Sequence, residues 1–145
     1  MPMKKEDDEK LITALNKILS QEHACAIRYA THAAVVTGPY ADTVQARLKE
    51  ISTDEVSHAE KLRDRILALG GMPTLKVSEE DLKPANTLKE ILSINIEEEK
   101  SAIQHYTEIL NSIPPSNAIL FQTIQSILSD EQEHLEELES LKPSL

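Results

Sequence analysis

Two pentads in this chain carry the same chemistry in the same order, Asp54-Glu55-Val56-Ser57-His58 and Asp130-Glu131-Gln132-Glu133-His134. Both read Asp-Glu-x-x-His on a strongly helical background. Helix positions three apart share a face within one turn, so each Glu and its His can close on one metal ion. Two such helices facing each other supply half of a dinuclear site. The other half calls for carboxylates from two further helices.

Glu22 and Glu99 sit where those carboxylates are needed. Glu22 lies seven residues after Leu15 and seven before Tyr29, and Glu99 lies seven after Leu92 and seven before Tyr106. One carboxylate in an apolar stripe is as readily a buried Glu satisfied by a Tyr or His. Two at matching places on two helices point to a shared purpose. Glu97, Glu98 and Glu99 are consecutive, and Glu99 falls within about 20° of the mean apolar direction while Glu98 lies about 80° to one side and Glu97 points away. Glu99 is therefore taken as the inward residue. Glu98 stays open as the alternative, because Glu98 to Glu131 spans the same 33 residues as Glu22 to Glu55. Glu22, Glu55, Glu99 and Glu131 all lie near the middle of their segments, so they can meet at one level.

Four carboxylates and two divalent cations cancel in charge, which matters in an interior where an unpaired ion costs several kcal/mol. Without metal the carboxylates repel one another and some should hold protons. A carboxylate-rich site with one imidazole per ion suits Fe(II) or Mn(II), whereas structural zinc calls for Cys or more His. Zinc is expected only as an inert competitor.

The elements that position these residues follow from the rest of the chain. Aromatics make up only 3% of the 145 residues and Trp is absent, so the core must be built from Leu, Ile, Val and Ala. Gly is scarce, and Pro falls between periodic segments, which argues an all-α fold. Helices are predicted over about residues 7–37, 41–69, 87–112 and 117–141, within a single domain covering 1–145. Breaks come at Gly38-Pro39, Gly70-Gly71-Met72-Pro73, Ile113-Pro114-Pro115 and Pro143. Asn86 or Thr87 can cap the third helix. The connection from Gly70 to about Ala85 is long for a helix link. Extended, it covers roughly 50 Å, against roughly 42 Å for the second helix, so it can return along the whole bundle. The expected architecture is a four-helix bundle of two antiparallel hairpins joined by a long crossover.

The formal charge of -10 disfavours nucleic acid as a partner and favours small cations. The first residues contain no apolar leader, and no run of about 18 apolar residues could span a bilayer, so a cytoplasmic location without membrane attachment is expected. A single cysteine, Cys25, can form neither an internal disulfide nor a rubredoxin-type iron site. Cys25 is read as a small packed residue. His23, His32 and His105 lie off the apolar stripes and are assigned to solvated or inter-subunit surface.

The sequence resembles the ferritin-like di-iron carboxylate family, whose bundles carry a Glu on each of two helices and Glu-x-x-His on each of the other two. The likeness covers nearly the whole chain. It rests on Leu15-Asn16 through Glu22 to Tyr29, on Glu55-x-x-His58-Ala59-Glu60 through Arg65-Ile66-Leu67 to Gly71-Met72-Pro73, and on Ile127-Leu128-Ser129-Asp130-Glu131-x-x-His134. In pattern it is most similar to bacterioferritins and bacterioferritin-like Dps-like proteins. The resemblance implies that Glu22 and Glu99 are terminal ligands, that Glu55 and Glu131 bridge two ions, and that His58 and His134 each bind one. Asp54 and Asp130 would then hold the imidazoles. Tyr29 resembles the family's tyrosine near the site, an electron donor, while Tyr106 is assigned to the core.

The implied activity is that of an iron-binding ferroxidase with a di-iron site inside one subunit. It would oxidise Fe(II) with O₂ or H₂O₂ and store Fe(III) if a homo-oligomer encloses a hollow shell. The alternatives are a rubrerythrin-like peroxidase or manganese catalase without storage, and a metal-free structural bundle. Three departures from the family pattern matter. Val56 stands where a bacterioferritin has its haem-ligating Met, and the methionines are Met1, Met3 and Met72, so no haem is expected. Eleven residues follow His134, too few for the short fifth helix of the larger cages, so a dodecameric shell or a smaller oligomer fits as well as a 24-subunit one. Finally, Lys4-Lys5 is followed at once by Glu6-Asp7-Asp8-Glu9, unlike the basic tail of many Dps proteins, so DNA binding is not expected.

Overall fold

The computed structural model describes residues 5–142; Met1, Met3, Lys4 and Pro143, named above, lie outside them. Four helices are formed: α1 over Lys5–Val35, α2 over Ala41–Ala68, α3 over Leu88–Ser112 and α4 over Ala118–Leu141. A single 3₁₀ turn, Glu79–Asp81, interrupts the crossover between α2 and α3. No strand occurs among the described residues.

The helix ends follow local chemistry. Glu6, Asp7 and Asp8 sit in the first turn of α1, where carboxylates complement the helix dipole. At the end of α2, Gly70 adopts φ 87°, a left-handed conformation that costs other residues more. Its N–H donates to Leu67 O at 3.0 Å, and Gly71 N–H donates to Ile66 O at 2.9 Å, which closes a Schellman cap. Gly71 has no room for a side chain, since a Cβ there would lie 2.7 Å from the Ile12 side chain. Of the two capping candidates for α3 it is Thr87 whose hydroxyl accepts from Glu90 N, at 3.1 Å. Asn117 Oδ1 accepts from Leu120 N at 3.1 Å and starts α4.

The crossover lies along α1 and is fastened to it by hydrogen bonds from end to end. Asn16 Nδ2 donates to Met72 O at 3.0 Å, and Thr74 N returns a bond to Asn16 Oδ1 at 2.8 Å. Further along, Ser78 N donates to Ser20 O at 2.9 Å and His23 Nδ1 donates to Lys76 O at 2.7 Å. Arg28 Nη1 donates to Asp81 O at 2.8 Å, and His32 Nε2 donates to Lys83 O at 2.7 Å. The irregular backbone thus finds its partners on α1, mostly on its side chains, as a covered polar chain must.

This course corrects the assignment of His32 to the surface: it is 1% exposed. Its Nδ1 accepts from Asn95 Nδ2 at 2.9 Å, and burial lowers its pKa. His23 and His105 are half-buried.

Two apolar clusters fill the bundle. One contains Leu15, Leu19, Leu62, Ile66, Tyr106, Leu120 and Ile124. The other contains Tyr29, Leu48, Ile51, Ile91, Leu92 and Leu138. Burying one such Leu or Ile contributes about 1.5–3 kcal/mol. Between the clusters lies a layer of charged side chains that apolar packing alone cannot account for.

Candidate metal centre

Each helix delivers part of this layer from near its midpoint. α1 supplies Glu22, α2 supplies Glu55 and His58, α3 supplies Glu99, and α4 supplies Glu131 and His134. All six are at most 2% exposed. Glu98 is also buried, but it turns away from the cluster, with Oε1 2.5 Å from Lys83 Nζ and Oε2 3.8 Å from Arg28 Nη1. Of the two α3 candidates, Glu99 is the one whose carboxylate enters the layer.

The geometry is that of two halves sharing two carboxylates. His58 Nδ1 lies 3.0 Å from Glu22 Oε2, 3.2 Å from Glu55 Oε1 and 3.1 Å from Glu131 Oε1. His134 Nδ1 lies 3.3 Å from Glu99 Oε2, 3.7 Å from Glu55 Oε1 and 3.6 Å from Glu131 Oε1, without hydrogen-bond geometry to any of them. The same oxygens of Glu55 and Glu131 therefore face both imidazoles, whose ring centroids are 6.2 Å apart. Glu22, Glu55, His58 and Glu131 offer donor atoms that lie within 4.8 Å of one another, and so do Glu99, Glu131 and His134.

The far side of each ring is held by the other pentad. His58 Nε2 donates to Asp130 Oδ2 and His134 Nε2 donates to Asp54 Oδ2, each at 2.9 Å. Each Asp thus serves the opposite helix, and the two Asp-Glu-x-x-His pentads clasp reciprocally. With Nε2 committed outward, Nδ1 of each ring points at the carboxylates.

Protonation follows from this crowding. Burial and the nearby Glu55 charge push Glu22 and Glu131 up to about 8. Burial and Glu131 raise Glu99 well above the usual carboxylate range. Burial would also raise Glu55, but its close approach to His58 and Glu131, together with the imidazole charges, holds it at about 2. Burial opposes charge on the imidazoles, yet the surrounding carboxylates prevail, raising His58 strongly and His134 to about 11. Protons on the acids and the imidazoles together therefore offset the charge of the layer here.

This balance leaves polar atoms unspent. Both carboxylate oxygens of Glu55, Glu99 and Glu131, and Nδ1 of His134, are buried without a hydrogen-bond partner. Such orphans are costly, and a divalent cation between them would satisfy oxygen and nitrogen donors alike. The donor set fits Fe(II) or Mn(II) in chemistry and arrangement.

Two tyrosines close the layer from opposite sides. Tyr29 belongs to one apolar cluster and Tyr106 to the other, and neither hydroxyl has a hydrogen-bond partner. Burial raises both pKa values, reinforced by Glu99 and Glu55 at Tyr29 and by Glu22 and Glu131 at Tyr106. Tyr106, a core residue, thus also feels the carboxylates.

A second polar group escaped the sequence reading. Arg28 is 2% exposed: its Nε donates to Asn95 Oδ1 at 2.9 Å, its Nη2 to Cys25 Sγ at 3.5 Å, and its Cζ lies 5.3 Å from the centre of the Tyr29 ring. Asn95 gave a signal, being a polar residue on the inward stripe four before Glu99. Arg28 gave none, since its burial depends on the crossover. Cys25 is a free buried thiol whose pKa burial pushes up.

A family model for the ferritin-like domain matches residues 12–142. The chain belongs to the ferritin-like family. Bacterioferritin of Mycobacterium bovis is 27% identical over 144 residues, covering 92% of this chain and 84% of the relative. A ferritin-like di-iron carboxylate protein from Bacillus anthracis superimposes with a TM-score of 0.88 at 30% identity, covering 94% of this chain and 97% of that one. A dodecameric thioferritin from Bacteroides fragilis, described as bacterioferritin-related, gives a TM-score of 0.84 at 29% identity, covering 92% of this chain and 84% of that one. The fold of this ferritin-like chain is thus that of the family's four-helix di-iron bundles.

Proposed function

We propose that this ferritin-like protein is a ferroxidase that binds two Fe(II) within one subunit and oxidises them with O₂ or H₂O₂ for iron storage or detoxification. The observation that carries the reading is the sharing of Glu55 Oε1 and Glu131 Oε1 by the two imidazole Nδ1 atoms at 3.1–3.7 Å. Glu22 and His58 would complete one ion's ligands and Glu99 and His134 the other's, with Glu55 and Glu131 between them. Asp54 and Asp130 keep each Nε2 protonated, so that Nδ1 remains the donor. Bound iron supplies the electrons that the oxidant takes up. The apolar clusters on either side exclude water and fix the carboxylates in place. Tyr29 stands beside the carboxylates as a one-electron donor.

The protein is further proposed to be cytoplasmic and homo-oligomeric, a dodecamer like the Bacteroides fragilis relative. No helix among the described residues is long and apolar enough to cross a membrane. Stopped-flow measurement of Fe(II) oxidation tests the activity: the wild type should oxidise iron, and Glu55→Ala with His134→Ala should not. Equal rates overturn the assignment. Iron retained per subunit after excess Fe(II) and oxidant separates storage from catalysis alone, since only storage exceeds the capacity of one site.

A further inference from the structure

The six clustered side chains are closed off from water, yet a cation has to reach them. Two depressions lead from the surface towards Glu22. The first lies between α1 and α2 beside the crossover, with walls of Ile27, Val56, Leu75 and Val77 and with His23, Arg63 and Thr74 as the polar groups outside Glu22. Arg63 Nη2 donates to His23 Nε2 at 3.0 Å, so a guanidinium stands at that opening. Apolar walls and a fixed positive charge both resist a hydrated dication.

The second depression lies between α1 and α3. Gln21, Asp81, Glu98, Ser101 and His105 surround it, and Glu22 lines it from within. Oxygen donors are present from the rim to the carboxylate inside. Its free volume is about 10 Å³, close to one water molecule, which is too little for a hydrated ion. Across it, His105 Nδ1 donates to Gln21 Oε1 at 3.2 Å, and both side chains are half-buried. Glu98 is tied to Lys83 and Arg28, leaving Gln21, Asp81 and Ser101 as the oxygens that can exchange with a passing cation's water. Rotation of two side chains about their own bonds widens the passage without moving a helix.

We propose that this seam between α1 and α3 is the route by which divalent cations enter the cluster, and that the Gln21–His105 pair is its gate. The inference rests on the proposed function and adds the path to it. Gln21 immediately precedes Glu22, so the gate and the innermost carboxylate share one helical turn. A cation passing the pair meets Glu22 next.

The test is the rate of Co(II) binding to the metal-free protein, followed by stopped-flow absorbance, with stoichiometry read at the end point. Gln21→Leu with His105→Phe replaces the polar pair by apolar groups of similar size. Entry should slow at least about tenfold with the final stoichiometry unchanged. Gln21→Ala with His105→Ala opens the passage and should bind faster than wild type. Leu75→Arg, at the other depression, should leave the rate as it is. Wild-type rates in the apolar pair, a fall in its stoichiometry, or comparable slowing by Leu75→Arg would overturn the gate. Failure of the wild type itself to take up Co(II) would instead overturn the proposed function.

Discussion

Metal loading should expel protons in a number that only the folded cluster explains. At pH 7 the metal-free site holds a proton on each of Glu22, Glu131 and Glu99 and an extra one on each imidazole, given their raised pKa values. Ligation requires carboxylates and neutral imidazoles, so two divalent ions should release about five protons per subunit. With ordinary pKa values the same six side chains would release only about half a proton, nearly all from the histidines. The contrast is about tenfold. At pH 9, where Glu22 and Glu131 have passed their value of about 8, the number should fall by about two through these groups. Calorimetric titration with Zn(II), in buffers of different ionisation enthalpy, reads the proton count as a slope. Glu99→Gln should lower it by about one. Release of fewer than about two protons at pH 7 would show that the cluster is not crowded as described.

The same groups set how the metal-free fold responds to pH. A carboxyl raised to about 8 keeps a proton that the unfolded chain sheds near 4.5, and His134, raised to about 11, keeps one that the unfolded chain sheds near 6.5. Both favour folding at low pH, so thermal midpoints of metal-free protein should fall from about pH 5 to 9; a midpoint that rises over that range contradicts the assignment. Metal-loaded protein should be more stable than metal-free protein at neutral pH. Asp54→Ala should weaken binding at the His134 half, and Asp130→Ala at the His58 half, by about 10–100-fold; Co(II) titrations at wild-type affinity would refute the reciprocal clasp. Arg28→Ala leaves Asn95 Oδ1 and Asp81 O without their donor and Glu98 with one cation fewer, and should cost about 3–5 kcal/mol in urea denaturation. It should also speed proteolysis between residues 72 and 86. A loss below about 1 kcal/mol would mean that the crossover is not held by this guanidinium.

The four helices and the inward direction of Glu22, Glu55, Glu99 and Glu131 were legible because helical spacing converts sequence distance into direction. Leu15, Glu22 and Tyr29 recur at seven residues and therefore share a face, wherever that face ends up. The same rule distinguished Glu99 from Glu98, although it could not show that Glu98 would be buried against Arg28 and Lys83. Gly70 announced the end of α2 because few other residues take its left-handed conformation without cost.

What the sequence withheld depends on partners distant along the chain. Nothing in either pentad shows that Asp54 meets His134 and Asp130 meets His58, because that pairing follows from the antiparallel setting of α2 against α4. Periodicity likewise marks only the face that helices turn to one another. Arg28 and His32 lie off that face and are buried by the crossover, an irregular segment whose backbone carbonyls supply their acceptors. Helix geometry is a local property and can be read in order along the chain; the path of an irregular segment, and whatever it covers, is decided only when the bundle has formed.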